Sequence, residues 1–124
     1  MSEKNAVNSG LAPNLAGALA YVLAPLTGII FLLVEKQDGY VRFHAAQSIL
    51  FGVGSIILWV ANSILGVILS AIPFLGWILS LLITMVLGLG LFVLWIYLMV
   101  QAYQGREWEL PVIGEPSRRL VASA

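Results

Sequence analysis

Residues Phe43–Ser70 decide the fold, and their sequence is FHAAQSILFGVGSIILWVANSILGVILS. This stretch contains no Asp, Glu, Lys or Arg. A helix needs about 20 predominantly apolar residues to cross roughly 30 Å of hydrocarbon. The stretch therefore predicts a membrane-spanning helix at about 43–70.

Two further apolar segments flank this helix and predict an all-α integral membrane protein with three transmembrane helices. The segment before it predicts a helix at about 14–34, with a kink at Pro25, because proline removes a backbone donor. The segment after it predicts a helix at about 75–103, and Pro73 marks the turn that precedes it. A four-span alternative breaks this last segment near 88–90.

The predicted spans form one polytopic membrane domain over 1–124. A short polar N-terminus (1–12) precedes the first helix, and a polar tail (104–124) follows the last. We expect no separate soluble domain in this chain.

The overall composition supports a membrane protein. Of the 124 residues, 60% are hydrophobic, whereas only six are Lys or Arg and six are Asp or Glu. A soluble domain of this size has too much surface to cover with so few charges. The formal net charge of zero gives no indication of nucleic-acid binding. The absence of cysteine excludes disulfides and thiolate chemistry.

The placement of Lys and Arg predicts the orientation. With three spans, Lys4 lies on one side, and five cations lie on the other: Lys36, Arg42, Arg106, Arg118 and Arg119. The positive-inside rule then places the 35–42 loop and the C-terminus in the cytoplasm. We expect a multi-pass protein of a prokaryotic plasma membrane, with lipids and itself or other membrane proteins as partners.

A stripe of small and polar residues runs along one face of the central helix. With His44 and Ser48, its members are Gly52, Ser55, Asn62, Gly66 and Ser70. Transmembrane helices associate through small residues and interhelical hydrogen bonds, which favours a packing seam. The alternative is a polar wall that lines a pore. A ridge on the next helix is the predicted mate of the stripe: Gly76, Ser80, Thr84 and Gly88.

Three polar side chains gather where the central helix begins, namely Arg42, His44 and Gln47. A proton sensor, a metal ligand and a binding residue are the functional interpretations of His44, and an interfacial structural residue is the alternative. One histidine cannot supply a complete catalytic set, so we expect no catalytic residue and no enzyme. The sequence predicts no cofactor and no metal site.

Several strings resemble a family of small bacterial and archaeal membrane proteins of largely unknown function. They are Tyr21–Ile29, Val41–Ser48 (VRFHAAQS) and Leu110–Gly114 (LPVIG). That family is described as similar to the chloroplast protein-import component Tic-twenty, which is usually described with four spans. The resemblance implies a subunit or assembly partner with a role like protein import or insertion. An oligomeric channel or transporter lined by the stripe is the alternative.

The VRFHAAQS string also adds a fourth candidate residue. Arg42, His44, Gln47 and Ser48 are the polar positions that match the recurring string of the family. The resemblance assigns no catalytic role to them.

Overall fold

The computed structural model describes residues 11–123, and every regular element in that range is a helix. In chain order these are α1 (Pro13–Leu19), α2 (Leu26–Val34), α3 (Gly39–Leu69), α4 (Leu75–Tyr103) and α5 (Gly114–Ser123). The predicted N-terminal segment 1–12 lies outside the described residues, except for Leu11 and Ala12. The all-α prediction is confirmed for the described part of the chain.

The two long helices, α3 and α4, are long and apolar enough to cross a membrane. In their most apolar windows only 6% and 0% of the residues are buried, which distinguishes them from the core helices of a soluble protein. The bounds of α4 agree with the predicted 75–103. Helix α3 begins at Gly39, four residues earlier than predicted, because the Asp38 carboxylate accepts a hydrogen bond from the Val41 amide.

Helix α4 ends in a Schellman motif. Gly105 adopts a φ of 83°, its amide bonds the Ala102 carbonyl, and the Arg106 amide bonds the Gln101 carbonyl. The left-handed conformation of Gly105 turns the chain back toward α3.

The predicted single helix at 14–34 is wrong, because the structure breaks it into α1 and α2 at residues 20–25. From α1 to the end of the break, the contacts move away from the beginning of α3: Gly17 lies against Tyr40, and Pro25 lies against Gly52. Along α2 the contacts return, since Gly28 lies against Ala45 and Ser48, and the Leu32 carbonyl bonds Arg42. The segment 13–34 is therefore a helical hairpin whose two ends lie at the same end of α3.

The polar tail 104–124 also has more structure than predicted. Residues 105–113, which we call the strap, cross α3, and α5 then packs against α3. Pro116 lies in the first turn of α5. Amides in the first turn of a helix have no partner within the helix, so a residue without an amide hydrogen suits this position.

Two parts of the molecule differ in how they are covered. The head comprises α1, α2, residues 39–52 of α3, residues 98–103 of α4, the strap and α5. Residues 41–48 of α3 are all buried in it. The distal hairpin comprises residues 53–97, where Gly76 alone is buried. The head therefore has a packed interior, whereas the distal hairpin is a pair of apolar helices exposed on their outer faces.

Candidate functional site

All four candidate residues of the VRFHAAQS string lie in the interior of the head. His44, Gln47 and Ser48 are fully buried, and Arg42 is 7% exposed. Burying such groups costs free energy unless each one is hydrogen-bonded. Their partners therefore show what each residue does.

Arg42 bonds the end of α2. Its Nη1 donates to the Leu32 carbonyl at 3.1 Å and to the Glu35 carbonyl at 2.6 Å. The last carbonyls of a helix have no partner within the helix, so a cation placed there completes their hydrogen bonding. The Glu35 carboxylate accepts from the amides of Gln37 and Asp38, which fixes the turn into α3.

His44, Tyr21 and Gln47 form a continuous hydrogen-bond chain. His44 Nε2 lies 2.8 Å from the Arg106 carbonyl, which only accepts, so Nε2 carries the proton. In the neutral ring Nδ1 is then an acceptor, and the Tyr21 hydroxyl donates to it at 2.7 Å. Gln47 Nε2 donates to the same hydroxyl oxygen at 2.9 Å. The chain has one consistent donor direction, from Gln47 through Tyr21 to His44.

Gln47 also holds the strap. Its Nε2 donates to the Trp108 carbonyl at 3.0 Å, and its Oε1 accepts from the Leu110 amide at 2.7 Å. These two bonds occupy both ends of the amide group. Together with His44, Gln47 fixes three backbone groups of a segment that is neither helix nor strand.

Ser48 bonds the break between α1 and α2. Its hydroxyl donates to the Ala20 carbonyl, which also accepts from Thr27 Oγ1 at 2.8 Å. Thr27 Oγ1 accepts in turn from the Leu23 amide at 3.2 Å, and Trp95 Nε1 donates to the Tyr21 carbonyl. Side chains thus bond backbone groups that the interrupted helix leaves without a helical partner.

The four candidate residues therefore share one property. Each of them donates to or accepts from the backbone of a segment that lacks regular structure or ends a helix. In a low-dielectric environment an unpaired backbone group costs several kcal/mol, so these bonds are what permit the irregular segments to be buried.

The stripe on α3 contacts two different elements of the same chain. At Gly52 an added Cβ would lie 2.5 Å from the Pro25 nitrogen, so this glycine permits the close approach of the α1–α2 turn. In the distal hairpin Asn62 Nδ2 donates to Thr84 Oγ1 at 3.0 Å, and an added Cβ at Gly66 would lie 3.3 Å from Ser80 Oγ. The stripe thus meets the α1–α2 turn near the head and α4 farther out.

Two members of the stripe make no hydrogen bond across this interface within residues 11–123. Ser70 Oγ bonds the Val67 carbonyl of its own helix. Ser55 Oγ is buried, and no hydrogen-bond partner for it exists among residues 11–123. Of the predicted mate, Ser80 and Thr84 contact the stripe, whereas Gly76 lies against Leu69 at the tip of the hairpin.

Charged residues of α5 bond the strap at the surface of the head. Arg118 forms ion pairs with Glu109 and, at 3.1 Å, with Glu107, and its guanidinium lies 4.3 Å from the centroid of the Phe43 ring. The hydrogen bond to Glu109 raises the pKa of Arg118, which keeps the guanidinium charged. Within the described range no three His, Asp or Glu side chains cluster as metal ligands would.

Sequence reasoning missed Tyr21, Thr27 and Trp95. All three bond partners far away in the chain or across the break, and no periodic pattern marks them. Their only signal was that Tyr21 and Thr27 lie within the first string of the family resemblance.

Comparison with known proteins places the chain among small membrane proteins. A family model described as the magnetosome magnetite crystal formation protein family matches residues 7–116. Two UPF0132 membrane proteins of Methanocaldococcus jannaschii are similar to it. One is 45% identical over 106 residues, covering 86% of each chain. The other is 38% identical over 110 residues, covering 89% of this chain and 71% of the relative.

An archaeal relative from a second organism agrees with this result. A UPF0132 membrane protein of Archaeoglobus fulgidus is 41% identical over 102 residues, covering 82% of this chain and 88% of the relative. No solved structure matches the chain. These findings support the predicted resemblance to a family of small archaeal membrane proteins, and they do not show the resemblance to the chloroplast import component.

Proposed function

We propose a structural role in the membrane for this chain, which belongs to the magnetosome magnetite crystal formation protein family. The protein is a non-enzymatic assembly partner. Its head is a rigid body, and its distal hairpin packs within the bilayer against a second copy or against other membrane proteins. Its relatives are named membrane proteins, which agrees with this role.

One observation carries the proposal: the buried polar side chains of the head bond the protein's own backbone. Arg42 bonds the end of α2, His44 and Gln47 bond the strap, and Ser48 bonds the α1–α2 break. A fully bonded polar network rigidifies the interior that contains it. This arrangement suits a protein that presents a fixed surface.

The distal hairpin supplies the surface for assembly. Val67 and Val86 are each 73% exposed, and Val93 is 63% exposed. An added Cβ at Gly90 would meet no atom within 4 Å, so the backbone of α4 is open to close approach there. Helices in a bilayer associate by such close packing, because lipid tails are as apolar as the side chains.

The alternative of a channel lined by the stripe has less support. Asn62 and Gly66 face Thr84 and Ser80 of the same chain, and Gly52 faces Pro25. Lining a pore would require these intramolecular contacts to separate. The import-like role stays a prediction from the resemblance. The family description names magnetite crystal formation, which is a second process that an assembly partner would serve.

We also propose that the head faces the cytoplasm of a prokaryotic plasma membrane. Lys36, Arg42, Arg106, Arg118 and Arg119 all belong to the head end of the chain, whereas the 70–74 turn at the other end carries no charge. The positive-inside rule favours this orientation.

Site-specific photocrosslinking in native membranes tests the assembly role. A photoactivatable residue replaces Val67, Val86 or Val93 in turn, and the same residue at Thr84, which faces Asn62 within the chain, is the matched control. We expect the exposed positions to yield adducts with a second copy or with one recurring membrane protein, identified by mass spectrometry. Lipid adducts alone at all three exposed positions would contradict the proposal.

A further inference from the structure

We infer that residues 13–34 form a re-entrant hairpin, which enters and leaves the bilayer through the face that carries the head and contacts the acyl chains of one leaflet. The sequence prediction has the same residues crossing the membrane. This path of the segment through lipid does not depend on which partner the distal hairpin binds.

The contacts between elements fix the path of this segment. At its start, Asn14 Nδ2 bonds the Tyr103 carbonyl at 3.0 Å, level with the beginning of α3 and the end of α4. At its tip, Pro25 lies against Gly52. At its end, the Glu35 carbonyl is bonded by Arg42, again near the beginning of α3. The segment therefore returns to the level at which it began.

The depth of the tip follows from the geometry of α3. At about 1.5 Å of rise per residue, the step from Tyr40 to Gly52 is about 18 Å. A hydrocarbon core is roughly 30 Å thick. The tip at Pro25 thus reaches about the middle of the bilayer without crossing it.

The backbone at the tip is bonded in the way that the bilayer requires. Irregular backbone is tolerated at membrane depth only where protein groups satisfy it. Here Ser48 and Thr27 both bond the Ala20 carbonyl, and Trp95 bonds the Tyr21 carbonyl. Polar side chains of α2, α3 and α4 thus converge on the break between α1 and α2.

The outer face of α2 has the character of a lipid-facing surface. Leu26, Ile30 and Leu33, which recur at helical spacing, are 64%, 56% and 64% exposed. On the opposite face Gly28 and Leu32 are buried against the head. This exposed face is apolar, like the outer faces of the distal hairpin. Membrane lipid is the natural solvent for such faces.

The distribution of charge agrees with this path better than with three spans. If 13–34 re-enters, then all six Lys and Arg residues of the chain lie on one side, including Lys4. The three-span arrangement divides them one against five. The positive-inside rule therefore favours the re-entrant arrangement.

Labelling of single cysteines tests the inference, and the natural absence of cysteine makes the background low. Four variants are compared in intact and permeabilised cells with a membrane-impermeant maleimide: Ser9→Cys, Gln37→Cys, Ala71→Cys and Ala122→Cys. We expect Ala71→Cys to react in intact cells, and the other three to react only after permeabilisation. Reaction of Ser9→Cys together with Ala71→Cys in intact cells would establish three spans and overturn the inference.

A distance measurement gives an independent result in purified protein. Spin labels at Ala12→Cys and Gln37→Cys, both at exposed positions, report the separation of the two ends of the segment. A continuous helix between them would set a distance of about 38 Å. We expect a much shorter distance in lipid nanodiscs, and a value near that of the continuous helix would refute the hairpin. Neither result depends on photocrosslinking at the distal hairpin, so failure of the assembly role and failure of this inference are distinguishable.

Discussion

Replacing Gln47 with leucine should release the strap from α3. Gln47 Nε2 donates to the Trp108 carbonyl, and Gln47 Oε1 accepts from the Leu110 amide at 2.7 Å. Leucine is similar in size to glutamine but makes neither bond, and it also loses the bond to the Tyr21 hydroxyl. The Trp108 carbonyl and the Leu110 amide then have no partner in the docked state, whereas water can bond them when the strap opens.

The two lost bonds to the strap set the size of the effect on strap opening. A typical intramolecular hydrogen bond contributes about 1 kcal/mol net, so the loss of two lowers the free energy of strap opening by about 2 kcal/mol. Since 1.4 kcal/mol corresponds to a factor of ten, the open population should rise by about 30-fold. The Leu110 amide is itself one of the two donors, so its exchange reports the opening directly.

Hydrogen–deuterium exchange of the Leu110 amide, measured by mass spectrometry in lipid nanodiscs, gives the readout. We expect exchange at Leu110 to accelerate by about 30-fold in Gln47→Leu. Gln104→Leu is the matched control, because this glutamine is exposed at the end of α4 and makes neither strap bond. An acceleration below about threefold in Gln47→Leu would refute the claim that Gln47 holds the strap.

Two further substitutions test the contacts of the stripe. Gly52→Ala should lower the free energy of unfolding by about 1–3 kcal/mol, because its Cβ would lie 2.5 Å from the Pro25 nitrogen and 2.7 Å from Pro25 Cδ. Gly54→Ala on the same helix meets nothing within 4 Å and should cause no loss, and equal losses in both variants by thermal unfolding would rule out the Pro25 contact as the cause. Asn62→Leu should cost about 1 kcal/mol in SDS unfolding, because Thr84 loses its partner. Adding Thr84→Val should recover most of this loss, and strictly additive costs would argue against a direct bond.

The distal hairpin could be predicted because its determinants are local in sequence. The uncharged and predominantly apolar residues over 53–97, with Pro73 between them, predict two long helices and a short turn, and the structure has both. The start of α3 shifted because a single capping bond from Asp38 adds a turn to the helix. Local signals of this kind determine where helices lie and approximately where they end.

The hairpin at 13–34 could not be predicted from the same signals. Hydropathy counts apolar residues along a window, and it has the same value whether the chain continues or reverses. Pro25 predicted a kink at the correct position. The chain reverses its direction there, however, instead of bending and continuing. The reversal depends on bonds from Ser48 and Trp95, which lie 28 and 74 residues from the carbonyls that they bond.

The partners of the polar residues of α3 could not be predicted from the sequence either. A buried polar side chain in an apolar helix has two physical solutions: it meets a ligand, or it bonds another part of its own chain. The sequence gives the residue type and its face but not the partner, so His44 and Gln47 were candidates for either solution. Their partners are backbone groups of the strap, 61 to 63 residues away. Because the strap itself has no regular structure, no periodicity could have placed it there, and only the three-dimensional fold distinguishes a residue that fixes the chain from one that binds a ligand.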